Sequence, residues 1–168
     1  MSFNINEFFK LGMKRDIPEL IEPGKYQLNL GCGANKLPNC ENIDWPDWDA
    51  VTSNIPYPSE SMDTIWAFHF FEHLTGEDAI RILKECERVL VVGGTLNIVV
   101  PHRLGMIAYQ DLDHKSFWTE ETIRTLVNNP YYEKNREVAW QLQVHMGVII
   151  GIVERNLALM TQLVKGYS

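Results

Sequence analysis

The chain has few cysteines, no cluster of basic residues and no long apolar run, and each absence excludes a class of protein. Its three cysteines are too few and too scattered for a disulfide framework or a zinc finger. The net charge of −7 disfavours binding of nucleic acid through a cationic face. The longest apolar run, near residues 148–153, is too short to cross a bilayer. The N-terminus shows no secretory signal, so we expect a cytoplasmic protein that contacts neither nucleic acid nor membrane.

The remaining composition is that of one packed domain. The chain has 168 residues, of which 45% are hydrophobic. This length favours a single domain over residues 1–168, and this apolar share is enough for a buried core.

The pattern of apolar residues predicts a chain of alternating strands and helices. Thr75 begins the clearest helix, with Asp78 at the capping-box spacing, and Gly93-Gly94 are expected to end it in a turn. Further helices are expected within residues 3–21 and over 119–128. Strands are predicted at residues 26–30, 42–45, 50–53, 63–70 and 95–100, and an extended region with a C-terminal hairpin over 135–160.

The alternation of strand, helix and strand over residues 63–100 is typical of a parallel unit in an α/β fold. Only residues 31–41 separate the first two strands, which leaves no room for a full covering helix. One face of the sheet would then be bare, and a bare apolar face is unfavourable in water. We therefore expect that residues 3–17 pack across it or that the chain forms a homodimer.

The most informative segment is Leu-Asn-Leu-Gly-Cys-Gly at residues 28–33. A strand runs straight into Gly31 and Gly33, which allow a sharp turn and a close approach of a ligand to the backbone. Such a turn after the first strand is where α/β proteins bind nucleotide-like cofactors. Asp44, at the end of the second predicted strand, could accept hydrogen bonds from both ribose hydroxyls, although an aspartate in an ordinary turn would look the same.

Four segments in this order resemble the class I S-adenosylmethionine-dependent methyltransferases, in particular their small, compact, type 11-like members. The segments are LNLGCG, ENIDW, IPYPSESMDTIWAFHFFEHL and ECERVLVVGGTLNIVVP. The resemblance implies a Rossmann-like three-layer fold with reduced helices. It also implies that the glycine turn holds the methionine part of the cofactor, that the acid binds the ribose, and that the loop after the third strand follows the adenine. The implied cofactor-binding residues are Gly31, Cys32, Gly33, Asp44, Asn54, Ile55 and Phe68.

The chain departs from this family's pattern at the adenine loop. An aspartate that often reaches the adenine amino group is replaced here by Ser53 and Asn54, and Asn54 could make a similar contact through its side-chain oxygen. A nicotinamide cofactor is disfavoured because Lys36 stands where the third glycine of Gly-x-Gly-x-x-Gly would be.

Histidines are the candidates for contact with a methyl acceptor. His69, at the end of the fourth predicted strand, and His114, in an Asp-x-x-His loop, are the candidate catalytic residues. His102 and Asp111 are expected to contact the acceptor. The set of Asp111, Asp113, His102 and His114 suits zinc or iron by residue type, but its spacing is no known ligand pattern, so no metal is predicted.

We therefore predict methyl transfer from S-adenosylmethionine to a small-molecule or sugar-like acceptor. The main alternative is a non-catalytic subunit that binds the cofactor for regulation or assembly. An aminopropyl transferase on the same fold is a third reading, although no acidic cluster for an amine lies near residues 102–118.

Overall fold

The computed structural model describes residues 26–128, 140–141, 147–150 and 157–166. The described strands are β1 (Gln27–Leu30), β2 (Glu41–Ile43), β3 (Met62–Phe68), β4 (Leu90–Pro101), β5 (Trp140–Gln141), β6 (Gly147–Ile150) and β7 (Leu157–Lys165). The described helices are α1 (Gly76–Val89), α2 (Ile107–Gln110) and α3 (Glu120–Asn128), with a 3-10 turn at Phe71–His73. None of these helices has both the length and the apolar character needed to span a bilayer.

The described strands form one mixed sheet in the order β2-β1-β3-β4-β7-β5, with β6 also paired to β7. The strands from β1 to β4 are parallel neighbours, whereas β7 runs antiparallel to β4, β5 and β6. This is the predicted Rossmann-like α/β architecture, and β6 with β7 forms the predicted C-terminal hairpin. The predicted strands at 26–30, 42–45 and 63–70 are confirmed with shifts of one or two residues at their ends.

Helix α1 begins where the capping pattern predicted. The Thr75 hydroxyl accepts a hydrogen bond from the Asp78 backbone N–H at 3.2 Å. One stripe of the helix is buried against the sheet, and its apolar members are Ala79, Ile82, Leu83, Cys86 and Val89. This stripe packs on the apolar face of the strands, where Leu28, Leu30, Ile65, Leu96 and Ile98 are all buried in the core.

The predicted turn at Gly93-Gly94 is wrong, because the helix ends at Val89 and both glycines lie inside β4. Met62 pairs with Leu90 but Thr64 pairs with Thr95, so β4 carries extra residues that bulge out of the ladder. Gly93 takes φ +81° there, and a Cβ on Gly94 would lie 2.8 Å from the Val91 carbonyl oxygen. The glycines therefore serve a bulge rather than a helix end.

The predicted strand at residues 50–53 is also wrong, because this segment is a turn and loop. Its backbone carbonyl oxygens accept hydrogen bonds from an arginine rather than from a neighbouring strand. Arg81 donates to the carbonyl oxygens of Ser53, at 3.1 Å, and of Ala50. The Asp49 carboxylate also holds the turn, by accepting from the backbone N–H of Val51 at 2.8 Å.

The second face of the sheet carries a row of polar side chains. In register across the strands this row consists of Asn42, Asn29, Trp66, Asn97 and Gln162. Asn29 donates to the Asn42 side-chain oxygen at 2.9 Å, and Gln162 donates to that of Asn97 at 2.8 Å. Residues 3–17 lie outside the described part of the chain, so their packing and the homodimer stay predictions.

Candidate functional site

The glycine turn and the acid meet at the carboxyl ends of β1 and β2. Gly31 and Gly33 take φ values of +62° and +49°. The Gly31 backbone N–H donates to the Ile43 carbonyl oxygen at 2.9 Å, which joins the two strand ends. The Gly33 N–H donates to Oδ2 of Asp44 at 2.5 Å, and the Trp45 N–H donates to Oδ1 at 2.7 Å. Backbone donors therefore hold the carboxylate against the turn, at the strand ends where α/β proteins bind nucleotide-like cofactors.

The side chains around the turn leave no room for a Cβ atom at Gly31, but they leave room for one at Gly33. A Cβ on Gly31 would lie 2.3 Å from Cδ2 of Phe70, whereas a Cβ on Gly33 would meet only Oδ2 of Asp44, at 3.9 Å. Cys32 between them is buried, and burial together with the Asp44 charge raises the pKa of its thiol. The thiol is therefore protonated near neutral pH and is unsuited to act as a nucleophile.

The loop predicted to follow the adenine is bound to helix α1. The Ile55 backbone N–H donates to Oε2 of Glu85 at 2.9 Å, and its carbonyl oxygen accepts from Arg88 at 2.9 Å. The hydrogen bond from Arg88 lowers the pKa of Glu85. The Ile55 side chain belongs to the core, whereas Asn54 is exposed. The Asn54 backbone carbonyl oxygen accepts from the Trp48 indole N–H at 2.9 Å.

No pattern in the sequence predicted this clamp, the set of hydrogen bonds between Arg81, Glu85 and Arg88 of α1 and residues 50–57. Arg81, Glu85 and Arg88 occur at helical spacings of four and three, so they share one side of the helix. A charged stripe at such a spacing usually indicates a solvated face. These residues bind a loop that lies about thirty positions away in the sequence, so no local pattern indicated the contacts.

At the end of β3 the chain turns sharply at His69. Phe68 stacks on Trp66 with ring centroids 5.8 Å apart, and His69 takes a φ of +52°, which is uncommon outside glycine. The His69 side chain is 48% exposed, and its Nδ1 donates to Oε1 of Glu72 at 3.1 Å. Since a carboxylate only accepts, Nδ1 carries the proton of this contact, and Nε2 is the ring nitrogen that the contact leaves for another partner.

Glu72 brings the two predicted catalytic histidines into one region. Its carbonyl oxygen accepts from the backbone N–H groups of Lys115, at 2.8 Å, and Ser116, at 3.1 Å, so the loop that carries His114 is tied to it. The His114 ring lies 4.9 Å from the His73 ring and donates from Nδ1 to the Ala108 carbonyl oxygen at 3.0 Å. His69, Glu72, His73 and His114 therefore lie together after β3.

His102 and Asp111, which were predicted to contact the methyl acceptor, both form hydrogen bonds within the protein. His102 is buried, donates from Nε2 to Glu120 at 3.1 Å and accepts at Nδ1 from the Leu104 N–H at 3.2 Å. Glu120's own backbone N–H and the bond from His102 lower the pKa of that carboxyl. Asp111 is exposed and accepts from the Asp113 N–H at 2.9 Å. The structure thus gives His102 a role in linking β4 to α3.

Comparison with known proteins agrees with the predicted fold and with the resemblance seen in the sequence. A family model described as "Methyltransferase domain" matches residues 33–98, from the second glycine of the turn into β4. Among curated proteins, none matches the sequence.

Several solved structures share the fold at low sequence identity. A SAM-dependent methyltransferase from Archaeoglobus fulgidus has a TM-score of 0.61 and 18% identity, covering 95% of this chain and 94% of that one. A SAM-dependent methyltransferase from Methanosarcina mazei has a TM-score of 0.60 and 13% identity, covering 88% and 95%. Phosphoethanolamine N-methyltransferase 1 of Haemonchus contortus, solved with phosphoethanolamine and S-adenosylhomocysteine, has a TM-score of 0.59 and 12% identity, covering 86% and 40%. The matched segment, residues 33–98, and the shared fold confirm the resemblance seen in the sequence to the class I S-adenosylmethionine-dependent methyltransferases.

Proposed function

We propose that this chain binds S-adenosylmethionine and transfers its methyl group to a small-molecule or sugar-like acceptor. The observation that carries the proposal is the contact between the Gly33 N–H and the Asp44 carboxylate at the ends of β1 and β2. This contact places a turn with glycine on both sides of Cys32 beside an acid that still has acceptor capacity on both oxygens. A ribose with two adjacent hydroxyls suits that acid, and the turn suits the amino-acid end of the same cofactor.

The cofactor, when bound, supplies a methyl group already activated on a sulfonium. The protein's task is then to align the acceptor and to exclude water, because the reaction is an in-line displacement. Gly31, Gly33 and Asp44 would hold the cofactor, with Phe68 at the adjoining end of β3. An acceptor hydroxyl would need a base, and His69 suits this role because its side chain is half exposed and its contact with Glu72 uses Nδ1 and leaves Nε2 for the acceptor.

The choice of a small or sugar-like acceptor is supported by the loop that carries His114. Tyr109 and Phe117 stack there with ring centroids 4.9 Å apart, and both are more than two-fifths exposed. Binding sites for small molecules are commonly lined by aromatic side chains together with a few polar groups. The net charge of −7 disfavours a nucleic-acid acceptor.

The first test is calorimetric titration of the full chain with S-adenosylmethionine, S-adenosylhomocysteine and NAD in parallel. We expect the two sulfur cofactors to bind and NAD not to bind. Replacing Asp44 by Ala should weaken cofactor binding by about 1–3 kcal/mol, the usual range for lost hydrogen bonds to a charged group. Asp47→Ala, which removes an exposed acid from the same loop, is the control and should leave the affinity unchanged.

Unchanged affinity in Asp44→Ala would mean that the ribose is held elsewhere. The second test is the formation of S-adenosylhomocysteine during incubation with candidate acceptors and cell extract. Product formation that depends on added acceptor supports the methyltransferase. Cofactor binding without any product would favour the alternative of a regulatory or assembly subunit.

A further inference from the structure

We propose that Glu72, His73 and His114 form a binding site for a divalent transition-metal ion of the zinc type. One ligand atom from each of these residues lies within 4.8 Å of the other two. Two imidazoles and one carboxylate are a ligand set used for zinc in enzymes and for iron(II) in non-haem sites. The proposal does not depend on methyl transfer, because zinc binding is measured without the cofactor, although Glu72 also positions the candidate base His69.

The Glu72 carboxylate is the first argument for a cation. The residue is 1% exposed, and its Oε2 has no hydrogen-bond partner in the part of the chain that the structure describes. A buried carboxylate oxygen without a partner is costly, and such groups in folded proteins are usually paired or bound to a metal. His69 already donates to Oε1, so the unpartnered oxygen is the one left to bind an ion.

The state of the His114 imidazole is the second argument. Its Nδ1 lies 3.0 Å from the Ala108 carbonyl oxygen, which can only accept, so the proton is on Nδ1. The lone pair is then on Nε2, the other ring nitrogen. Histidines that bind metals almost always donate their second nitrogen to a carbonyl or carboxylate in this way, which fixes the ring. His69 is a positioning residue for Glu72, because its hydrogen bond to Oε1 holds the carboxylate in place.

The distances fit an ion after a small movement of the side chains. In a tetrahedral zinc site with bonds of about 2.1 Å, neighbouring ligand atoms lie roughly 3.4 Å apart. The observed limit of 4.8 Å is longer than this, so binding of an ion would draw the Glu72 and His73 side chains towards the His114 ring, which the bond to Ala108 holds in place. His73 and His114 are only partly buried, which leaves an entry path. Three protein ligands leave a fourth position open to water or to an acceptor oxygen.

This site also changes the expectation for His114. The residue was predicted as a catalytic base, but as a ligand its Nε2 would be bound to the ion and could not take a proton. The ion would instead connect the loop that carries His114 to the 3-10 turn after β3. Backbone hydrogen bonds from Lys115 and Ser116 to the Glu72 carbonyl oxygen already hold that loop in place.

The experiment is a titration of the chelator-stripped full chain with Zn²⁺ in competition with a chromophoric chelator. We expect one tightly bound ion per chain. His114→Ala and Glu72→Gln, which remove ligands, should each weaken zinc binding by more than about 100-fold, and His69→Asn by about 10- to 100-fold, the range seen when the partner of a ligand is lost. Asp113→Asn, an exposed acid of the same loop, is the control and should bind zinc like the wild type.

A second measurement reports the ligands directly. Co²⁺ in place of zinc should give the visible absorption of a four-coordinate site, and His73→Ala should abolish it. If Glu72→Gln fails to fold, the variants His73→Ala and His114→Ala test the proposal instead, because both histidines are only partly buried. Absence of zinc binding, or equal affinity in the wild type and His114→Ala, would overturn the proposal. Since no cofactor is added, this outcome is independent of the result for Asp44→Ala.

Discussion

Replacing Gly31 by Ala tests whether the glycine turn is shaped by the Phe70 ring or only by backbone conformation. A Cβ at Gly31 would lie 2.3 Å from Cδ2 and 2.9 Å from Cγ of Phe70, well inside contact distance. The backbone φ of +62° is also unfavourable for alanine. Gly33 offers a matched control, because its φ of +49° carries a similar backbone penalty while its nearest atom would be 3.9 Å away.

Two effects are expected to lower the free energy of unfolding when these glycines are replaced by alanine. Placing a residue with a Cβ in the left-handed region costs about 1–2 kcal/mol, and this applies to both glycines. Forcing the Phe70 ring to move within a packed core adds about 1–3 kcal/mol, and this applies to Gly31 only. Gly31→Ala should therefore lower the free energy of unfolding by about 2–5 kcal/mol, and Gly33→Ala by about 1–2 kcal/mol.

The assay is equilibrium unfolding in urea of the wild type, both single variants, Phe70→Ala, and the double variant Gly31→Ala/Phe70→Ala. Removal of the ring abolishes the clash, so the double variant should be more stable than the sum of its singles predicts, by about 1–3 kcal/mol. Equal destabilisation by Gly31→Ala and Gly33→Ala, with additive costs in the cycle, would show that Phe70 does not shape the turn.

Two further predictions concern helix α1. The hydrogen bond from Arg88 lowers the pKa of Glu85, so its contribution to stability is present above the ordinary glutamate pKa and is lost as the pH falls through the lower folded value. Urea unfolding at a series of pH values should therefore show a steeper loss of stability below about pH 4.5 in the wild type than in Glu85→Gln, and parallel profiles would contradict the clamp. Thr75→Ala should cost about 1 kcal/mol through loss of the cap to Asp78, while Thr75→Ser should be nearly neutral; equal unfolding free energies for both variants would exclude the cap.

Local patterns predicted much of the fold. The capping pair Thr75 and Asp78 located the start of α1, and the apolar segments located β1, β3 and the second half of β4. The two errors have one cause. Residues 50–53 and the pair Gly93-Gly94 look like a strand and a turn in isolation, but contacts from distant elements decide their structure. Arg81 takes the carbonyl groups of the first segment, and the pairing of β3 with β4 places the glycines in a bulge.

The candidate site also contains residues that the sequence could predict and residues that it could not. Gly31, Gly33 and Asp44 could be singled out because a glycine turn and an acid after successive short strands meet at one edge of any parallel sheet. The group around Glu72 could not, because His114 lies far along the chain from it and reaches it through backbone hydrogen bonds of an irregular loop. Periodicity and spacing report the neighbours of a residue along the chain. Which distant side chains share a buried carboxylate depends on how the loops fold over the ends of the strands, and no local pattern encodes that.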